Sequence, residues 1–285
     1  MRPANLFSAI FICFALLACL SSCGRSPFAT AGEGETYISF FDVGQADCAL
    51  VRTRDAVVLV DTGDGDAAKT ARIVRSLRRA GIGAIDCLVL THPHADHIGG
   101  AVTILSEFEV RECLMPSSTS DSLEFTRLLT ALEQEGCAVR EAYRGREVEY
   151  GSILLEILAP SAYSTATENS DCVVFRLVSQ ELRVLFASDA EAANEEELLA
   201  LYDDGLRADI LKVGHHGSDT STTDAFLSAV SPSYAVISCA QGNSYEFPHI
   251  STLERLHAAG VITLRTDLEG TISFYVLHGV IEPLT

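Results

Sequence analysis

Short apolar runs, rich in β-branched residues, alternate along this chain with longer stretches whose apolar positions recur at helical spacing. Tyr37–Phe41, Cys48–Val51 and Val57–Val60 read as strands separated by turn residues. From Asp66 to Ala80 the period lengthens: Ala68, Ile73, Val74 and Leu77 share a face, and Gly81 closes the helix. An apolar strand over Ile85–Leu90 follows, then a helix from Ile98 towards Leu105. A strand over Arg111–Met115 and a helix over Ser122–Glu135, stopped by Gly136, end the first half. The second half repeats the order, with strands at 146–150, 152–158, 172–178 and 182–187. A polar-faced helix at 191–202, a strand over Ile210–Val213 and a helix at 221–229 capped by Ser221 come next. A strand at 234–238, a helix at 251–259 ended by Gly260, and strands at 261–265 and 271–277 complete the pattern. Each half runs strands first and helices after. That predicts two sheets packed face to face with helices outside, an α/β sandwich forming one domain over residues 37–285.

The first 23 residues stand apart from this pattern. Arg2 precedes an apolar run from Leu6 to Leu20 that is short for a membrane span, and small residues follow it. Leu20-Ser21-Ser22-Cys23 resembles a bacterial lipobox, in which the signal is removed and Cys23 carries lipid; an uncleaved anchor is the alternative. Both readings export the chain and tether it to a membrane on the extracytoplasmic face, with residues 24–36 as a flexible link. Composition narrows the partners further. Thirty-nine acidic residues against 20 Lys and Arg give a formal charge of −19. With no Lys/Arg cluster to provide a footprint, extended duplex nucleic acid is disfavoured. Beyond the signal and Cys23, the cysteines are Cys48, Cys87, Cys113, Cys137, Cys172 and Cys239. Most sit in apolar runs without zinc-ribbon spacing, so they read as buried thiols, one disulfide being the alternative.

One run carries the chemistry. Thr91-His92-Pro93-His94-Ala95-Asp96-His97-Ile98-Gly99-Gly100 sets four candidate metal ligands within six positions, directly after an apolar strand. His92 and His94 can converge on one ion while Asp96 and His97 reach a second. The glycine pair lets the backbone turn sharply into a helix. Nitrogen and carboxylate ligands together suit zinc, manganese or iron, and two close ions suit hydrolysis by a bridging hydroxide. Asp189 ends the apolar run Val184-Leu185-Phe186, which aims its carboxylate out of a sheet edge; capping the helix at 191–202 is the plainer role. Asp61, after a buried strand, reads as orienting a ligand His or the attacking water. His215 and His216 follow another strand into the same cleft, where one can donate to the charge developing on a leaving oxygen.

Six segments in order carry a resemblance across residues 37–275. They are Phe41-Asp42-Val43-Gly44-Gln45-Ala46-Asp47, Leu59-Val60-Asp61-Thr62-Gly63, the His run, Phe186-Ala187-Ser188-Asp189, Leu211-Lys212-Val213-Gly214-His215-His216-Gly217-Ser218 and Phe247-Pro248-His249. Together they resemble the metallo-β-lactamase superfamily, and within it the ComEC-like branch in a stand-alone exported form. The first segment carries Ala46 where that branch usually has glycine. The resemblance implies a four-layer αββα fold. It also implies a first metal on His92 and His94, a second on Asp96 and His97, Asp189 bridging them, and His249 completing the second site. The catalytic candidates are then Asp96, His216, His215 and Asp61, with His216 preferred as acid or oxyanion donor and His215 as its support. One departure stands out: residues 138–188 hold no His, and Asn169-Ser170-Asp171 occupies the stretch where most of the superfamily places a third His on the first metal. A weaker first site, with manganese favoured over zinc, is the expectation.

The cofactors expected are therefore two divalent ions, zinc or manganese. The reaction expected is phosphodiester hydrolysis, since the resemblance implies nuclease or phosphorylcholine-esterase chemistry. The acidic surface favours a small or cell-surface diester over long DNA. Hydrolysis of a β-lactam, lactone or thioester is the alternative, and a non-catalytic binding module with a degenerate site comes third.

Overall fold

The computed structural model describes residues 25–162 and 171–284. The signal, Cys23 and Asn169 lie outside the described residues. Among the described residues, fifteen strands form two sheets. In the first, β1 (Glu35–Phe40), β2 (Ala49–Arg52) and β3 (Val57–Val60) run antiparallel. From β3 the sheet turns parallel through β4 (Ala84–Val89), β5 (Glu109–Met115) and β6 (Ala138–Glu141). In the second, β7 (Glu147–Tyr150), β8 (Ile153–Ala159), β9 (Val174–Ser179) and β10 (Leu182–Phe186) are antiparallel. This sheet continues in parallel through β11 (Ile210–Lys212), β12 (Tyr234–Ile237) and β13 (Ile262–Arg265). Late in the chain, β14 (Ile272–Leu277) and β15 (Val280–Leu284) return to the first sheet beside β1.

The alternation of each strand decides the layering. Phe40, Val58, Val60 and Val89 from one sheet meet Phe175, Val184, Phe186 and Val236 from the other in the central core. The opposite faces take the helices. Helices α1 (Ala67–Arg79), α2 (Ala95–Ile98), α3 (Ala101–Glu107) and α4 (Leu123–Gln134) flank the first sheet, with Ile73, Leu77, Ile98, Ile104 and Leu128 buried against it. Helices α5 (Ala192–Tyr202), α6 (Asp224–Val230) and α7 (Ile250–Ala258) cover the second through Leu198, Phe226 and Leu256; the short α8 (Thr266–Glu269) precedes β14. Because the central strands of both sheets are parallel, their carboxyl ends emerge at one rim. The loops after β3, β4, β10, β11 and β12 therefore converge there.

Three local expectations change in the structure. Helix α6 starts at Asp224 and is capped by Thr223, whose hydroxyl accepts from the Phe226 amide. Ser221 instead donates its buried hydroxyl to the carbonyls of Gly214 and Ser218, bracing the loop after β11. Gly99 and Gly100 hold ordinary helical dihedrals (φ −59° and −85°), so no sharp turn requires them. A Cβ there would lie 2.4 Å from the Asp64 carbonyl carbon and 2.3 Å from the Thr62 oxygen. Their smallness admits the 61–65 loop onto the helix. Finally, α1 carries Lys69, Arg72, Arg75, Arg78 and Arg79, a denser basic run than the overall charge suggests. Lys69, Arg72 and Arg78 are paired with Asp64, Asp42 and Glu107, and Arg79 lies over the Phe28 ring.

All six described cysteines are free thiols, five of them buried. Burial pushes the Cys87 and Cys172 thiols up to about 12, which keeps them inert. No helix among the described residues is long and apolar enough to cross a membrane.

Candidate metal centre

The rim assembles around Asp189. The residue follows β10 through Ser188, which sits in the left-handed region (φ 52°) and turns the carboxylate into the cleft. Its two oxygens face different partners. Oδ2 lies 3.6 Å from His92 Nε2, and His94 Nδ1 is 3.0 Å from that same nitrogen. Oδ1 lies 3.4 Å from His97 Nε2 and 3.8 Å from His216 Nε2. Two groups with ligand atoms within 4.8 Å of one another result: His92, His94 and Asp189, and Asp47, His97, Asp189 and His216. Asp189 belongs to both.

The second group shows why a cation fits. Asp47 Oδ1, His97 Nε2, Asp189 Oδ1 and His216 Nε2 are all buried polar atoms without a hydrogen-bond partner. Orphaned buried polar atoms are rare, and four aimed at one point are satisfied together by a single ion. The set of two imidazoles and two carboxylates suits zinc, manganese or iron. The far side of each ligand is anchored. Asp61 Oδ2 accepts from His97 Nδ1 at 2.9 Å, while Asp61 also accepts from the Thr91 amide and hydroxyl. Asp61 thus orients His97 from behind and lies in neither group. His216 Nδ1 donates to the Ser238 carbonyl at 2.9 Å, which leaves the Nε2 lone pair for the cleft. Lys212, buried in β11, donates to Asp47 Oδ2 at 2.9 Å and to the Val213 carbonyl at 3.1 Å. That contact turns the other Asp47 oxygen towards the group.

His215 and His216 both adopt left-handed backbone (φ 44° and 53°). Two such residues in succession cost about 1–3 kcal/mol each, strain held by the braced loop around them. The result sends the rings to opposite sides of Asp189: His215 Nε2 stands 3.8 Å from Oδ2, His216 near Oδ1. Glu191 Oε1 holds His215 from behind, 3.2 Å from Nδ1. Asp96, partly exposed, places Oδ2 3.3 Å from His216 Nε2 and 3.8 Å from His97 Nε2.

Charges in the rim are strongly interdependent. Burial opposes ionisation of Asp189, yet His97 and His216 outweigh it and hold the carboxyl well below the usual range. Burial likewise disfavours charge on His97, and the Asp189 and Asp61 carboxylates overcome it to raise the ring well above its ordinary value. His92 behaves oppositely: burial, reinforced by neighbouring His97, keeps it neutral, the form a metal ligand needs.

Residues 41–241 match the family described as "Metallo-beta-lactamase superfamily". The chain belongs to that superfamily. ComE operon protein 3 of Bacillus subtilis is 30% identical over 94% of this chain, and competence protein ComA of Neisseria gonorrhoeae is 33% identical over 88%. The chain spans about a third of the length of these relatives (35% and 34%). Among solved structures, the metallo-beta-lactamase fold protein YhfI from Bacillus subtilis superposes with a TM-score of 0.56, covering 88% of this chain and 100% of that one. At 9% identity this likeness speaks to the fold alone.

Within this metallo-β-lactamase frame, the structure brings His92, His94, Asp96, His97 and Asp189 to one place and leaves His249 out. His249 stands at the amino-terminal cap position of α7 and accepts from the Asp219 amide through Nδ1 at 2.9 Å. Asp171 is buried and belongs to neither group. The sequence reading did not single out Asp47 and preferred His216 as acid or oxyanion donor; the structure sets both in the group that could hold an ion with His97 and Asp189. A signal for the first existed: Lys212 inside the apolar run Ile210–Val213 demands a buried carboxylate partner. His249→Ala is accordingly expected to leave metal content unchanged and activity within a few-fold of the parent. Metal analysis of the purified variant checks this, and loss of an ion would restore His249 to the ligand set.

Proposed function

We propose that this protein is a metal-dependent phosphodiesterase acting on a small, cell-surface or nucleic-acid diester. The observation that carries the reading is the pair of His/Asp groups sharing Asp189, one of them with four orphaned ligand atoms. His92, His94 and Asp189 would hold one divalent ion and Asp47, His97, His216 and Asp189 a second, zinc or manganese in either case. Bound there, the ions supply an activated water and stabilise charge developing at phosphorus. The chain's own residues do the rest. Asp61 keeps His97 in one orientation. Asp96, half turned to solvent beside His216, is positioned to take a proton from the attacking water. His215, partly exposed and backed by Glu191, is positioned to return one to the leaving oxygen. His216 is committed to the ligand set, so the acid role passes to its neighbour. The missing third His leaves the first group with His92, His94 and Asp189 alone.

Support for export and lipid anchoring rests on Leu20-Ser21-Ser22-Cys23, and we extend the proposal to an enzyme tethered outside the cytoplasmic membrane. The decisive assay takes purified protein of measured metal content against a phosphodiester, a phosphomonoester, single-stranded DNA and a β-lactam. Diester turnover that chelation abolishes and zinc or manganese restores is the expected result, with His97→Ala inactive. Turnover of the β-lactam alone would replace this reading with carbonyl hydrolysis.

A further inference from the structure

The loop between β12 and α7 presents an aromatic step that the metal groups do not use. Tyr245 is 62% exposed, and its ring stacks on Phe247 with centroids 5.4 Å apart and planes 18° apart. Phe247 in turn meets the His215 ring at 5.5 Å, and His215 faces Asp189. A line of rings therefore runs from the bridging carboxylate to the surface. The loop that carries it is built, not slack. Asn243 donates through Nδ2 to the carbonyls of Ala240 and Phe247 and accepts through Oδ1 from the amides of Tyr245 and Phe247. Gln45, two residues before Asp47, accepts from the Ala240 amide and ties this loop to the ligand-bearing one.

An exposed aromatic on a braced loop beside a reaction centre has two explanations. It shields Phe247 from water, or it stacks on part of the substrate. Shielding accounts for the inner face of Tyr245 only. Among the described residues its ring has no aromatic neighbour but Phe247, so the outer face is open. A near-parallel pair offers a flat face, which suits a planar ring; a quaternary ammonium is better served by rings set at angles around it. A strand whose scissile phosphate sits at Asp189 can continue for further nucleotides in the direction in which His215 and Phe247 lead. We infer that Tyr245, supported by Phe247, stacks a nucleobase further along a single strand whose scissile phosphate sits at Asp189. This inference rests on the phosphodiesterase reading for the position of the phosphate. It concerns recognition of one unpaired base, which an acidic surface does not forbid as it does a long duplex.

Binding, measured apart from turnover, provides the test. Fluorescence anisotropy on the metal-loaded full chain compares a short phosphorothioate-linked thymidine oligomer with an abasic oligomer of the same backbone and length. The thymidine oligomer is expected to bind roughly five- to a hundredfold more tightly, the range that one stacked base supplies. Tyr245→Ala should abolish the difference while leaving affinity for the abasic strand unchanged, and Tyr245→Phe should retain it. A structural role alone would lower the melting temperature without touching the preference. Equal binding of the two oligomers by the parent protein overturns the inference, as does a preference that survives Tyr245→Ala. Tyr245-dependent binding of glycerophosphocholine in place of the thymidine oligomer would also overturn it. If no diester is hydrolysed yet the Tyr245-dependent preference persists, the function proposed above fails and the base-stacking site stands.

Discussion

Asp189→Ala is expected to lose both metal ions and with them at least a hundredfold in activity. The reason is geometric: its two oxygens face separate histidine sets, Oδ2 towards His92 and Oδ1 towards His97 and His216. Removing even a residue behind a metal ligand costs about 10–100-fold in affinity or activity, and a shared ligand should exceed that. Asp47→Ala makes the contrast, because Asp47 belongs to one group only and its loss should release a single equivalent. Metal analysis of the two purified variants, with far-ultraviolet circular dichroism to show that both are folded, separates the cases. Two ions retained by Asp189→Ala would remove it from the bridging position.

Lys212→Met should destabilise the metal-free protein more than the loaded one. The Lys212 ammonium is buried and stands 2.9 Å from an equally buried Asp47 carboxylate. Breaking such a pair from one side strands a charge, at a cost of about 3–5 kcal/mol. An ion gripped by Asp47 offsets part of that cost, since it supplies the positive charge that lysine provided. The gap in melting temperature between loaded and chelated protein is therefore expected to widen in the variant. Equal losses in the two forms would mean that Lys212 acts through packing alone. Lysine beside a ligand carboxylate also withholds negative charge from the ion, so its removal should strengthen metal retention rather than weaken it.

Much of this centre is legible in the chain because many of its side chains are neighbours there. His92, His94, Asp96 and His97 fall in one turn after an apolar strand, and Asp189 ends another. What escaped was whatever depends on a partner far along the chain. Asp47 gains its meaning from Lys212 and His216, 165 and 169 positions later, and the loop geometry that joins them is set by left-handed backbone at His215 and His216. His249 illustrates the converse: a histidine after proline has the right chemistry, but no sequence pattern states which way its ring points. Strands β6 and β15 went unread for a different reason. All four residues of β6 are exposed, so no alternation marks it, and only pairing with β5 makes it a strand. Helices α1 and α4 were clear because each buries a continuous apolar face, whereas α5 buries only Glu195 and Leu198 and the four-residue α8 went unread.

The seam between the two sheets gives the ligand groups a mechanical meaning. Asp47, His92, His94 and His97 hang from the first sheet, whereas Asp189 and His216 hang from the second. Neither half owns a complete set. A cation seated at the rim works as a rivet through both layers, and the energy of seating it is also energy that clamps the halves together. Prising the layers apart would then release the ion, and withdrawing the ion would slacken the clamp at the rim. Beneath the rim, the ring contacts of Phe40 with Phe186 and Phe274, and of Phe274 with Tyr234, join the two layers through hydrocarbon alone. With a cation seated, the sandwich would be held by hydrocarbon through its core and by metal at its rim.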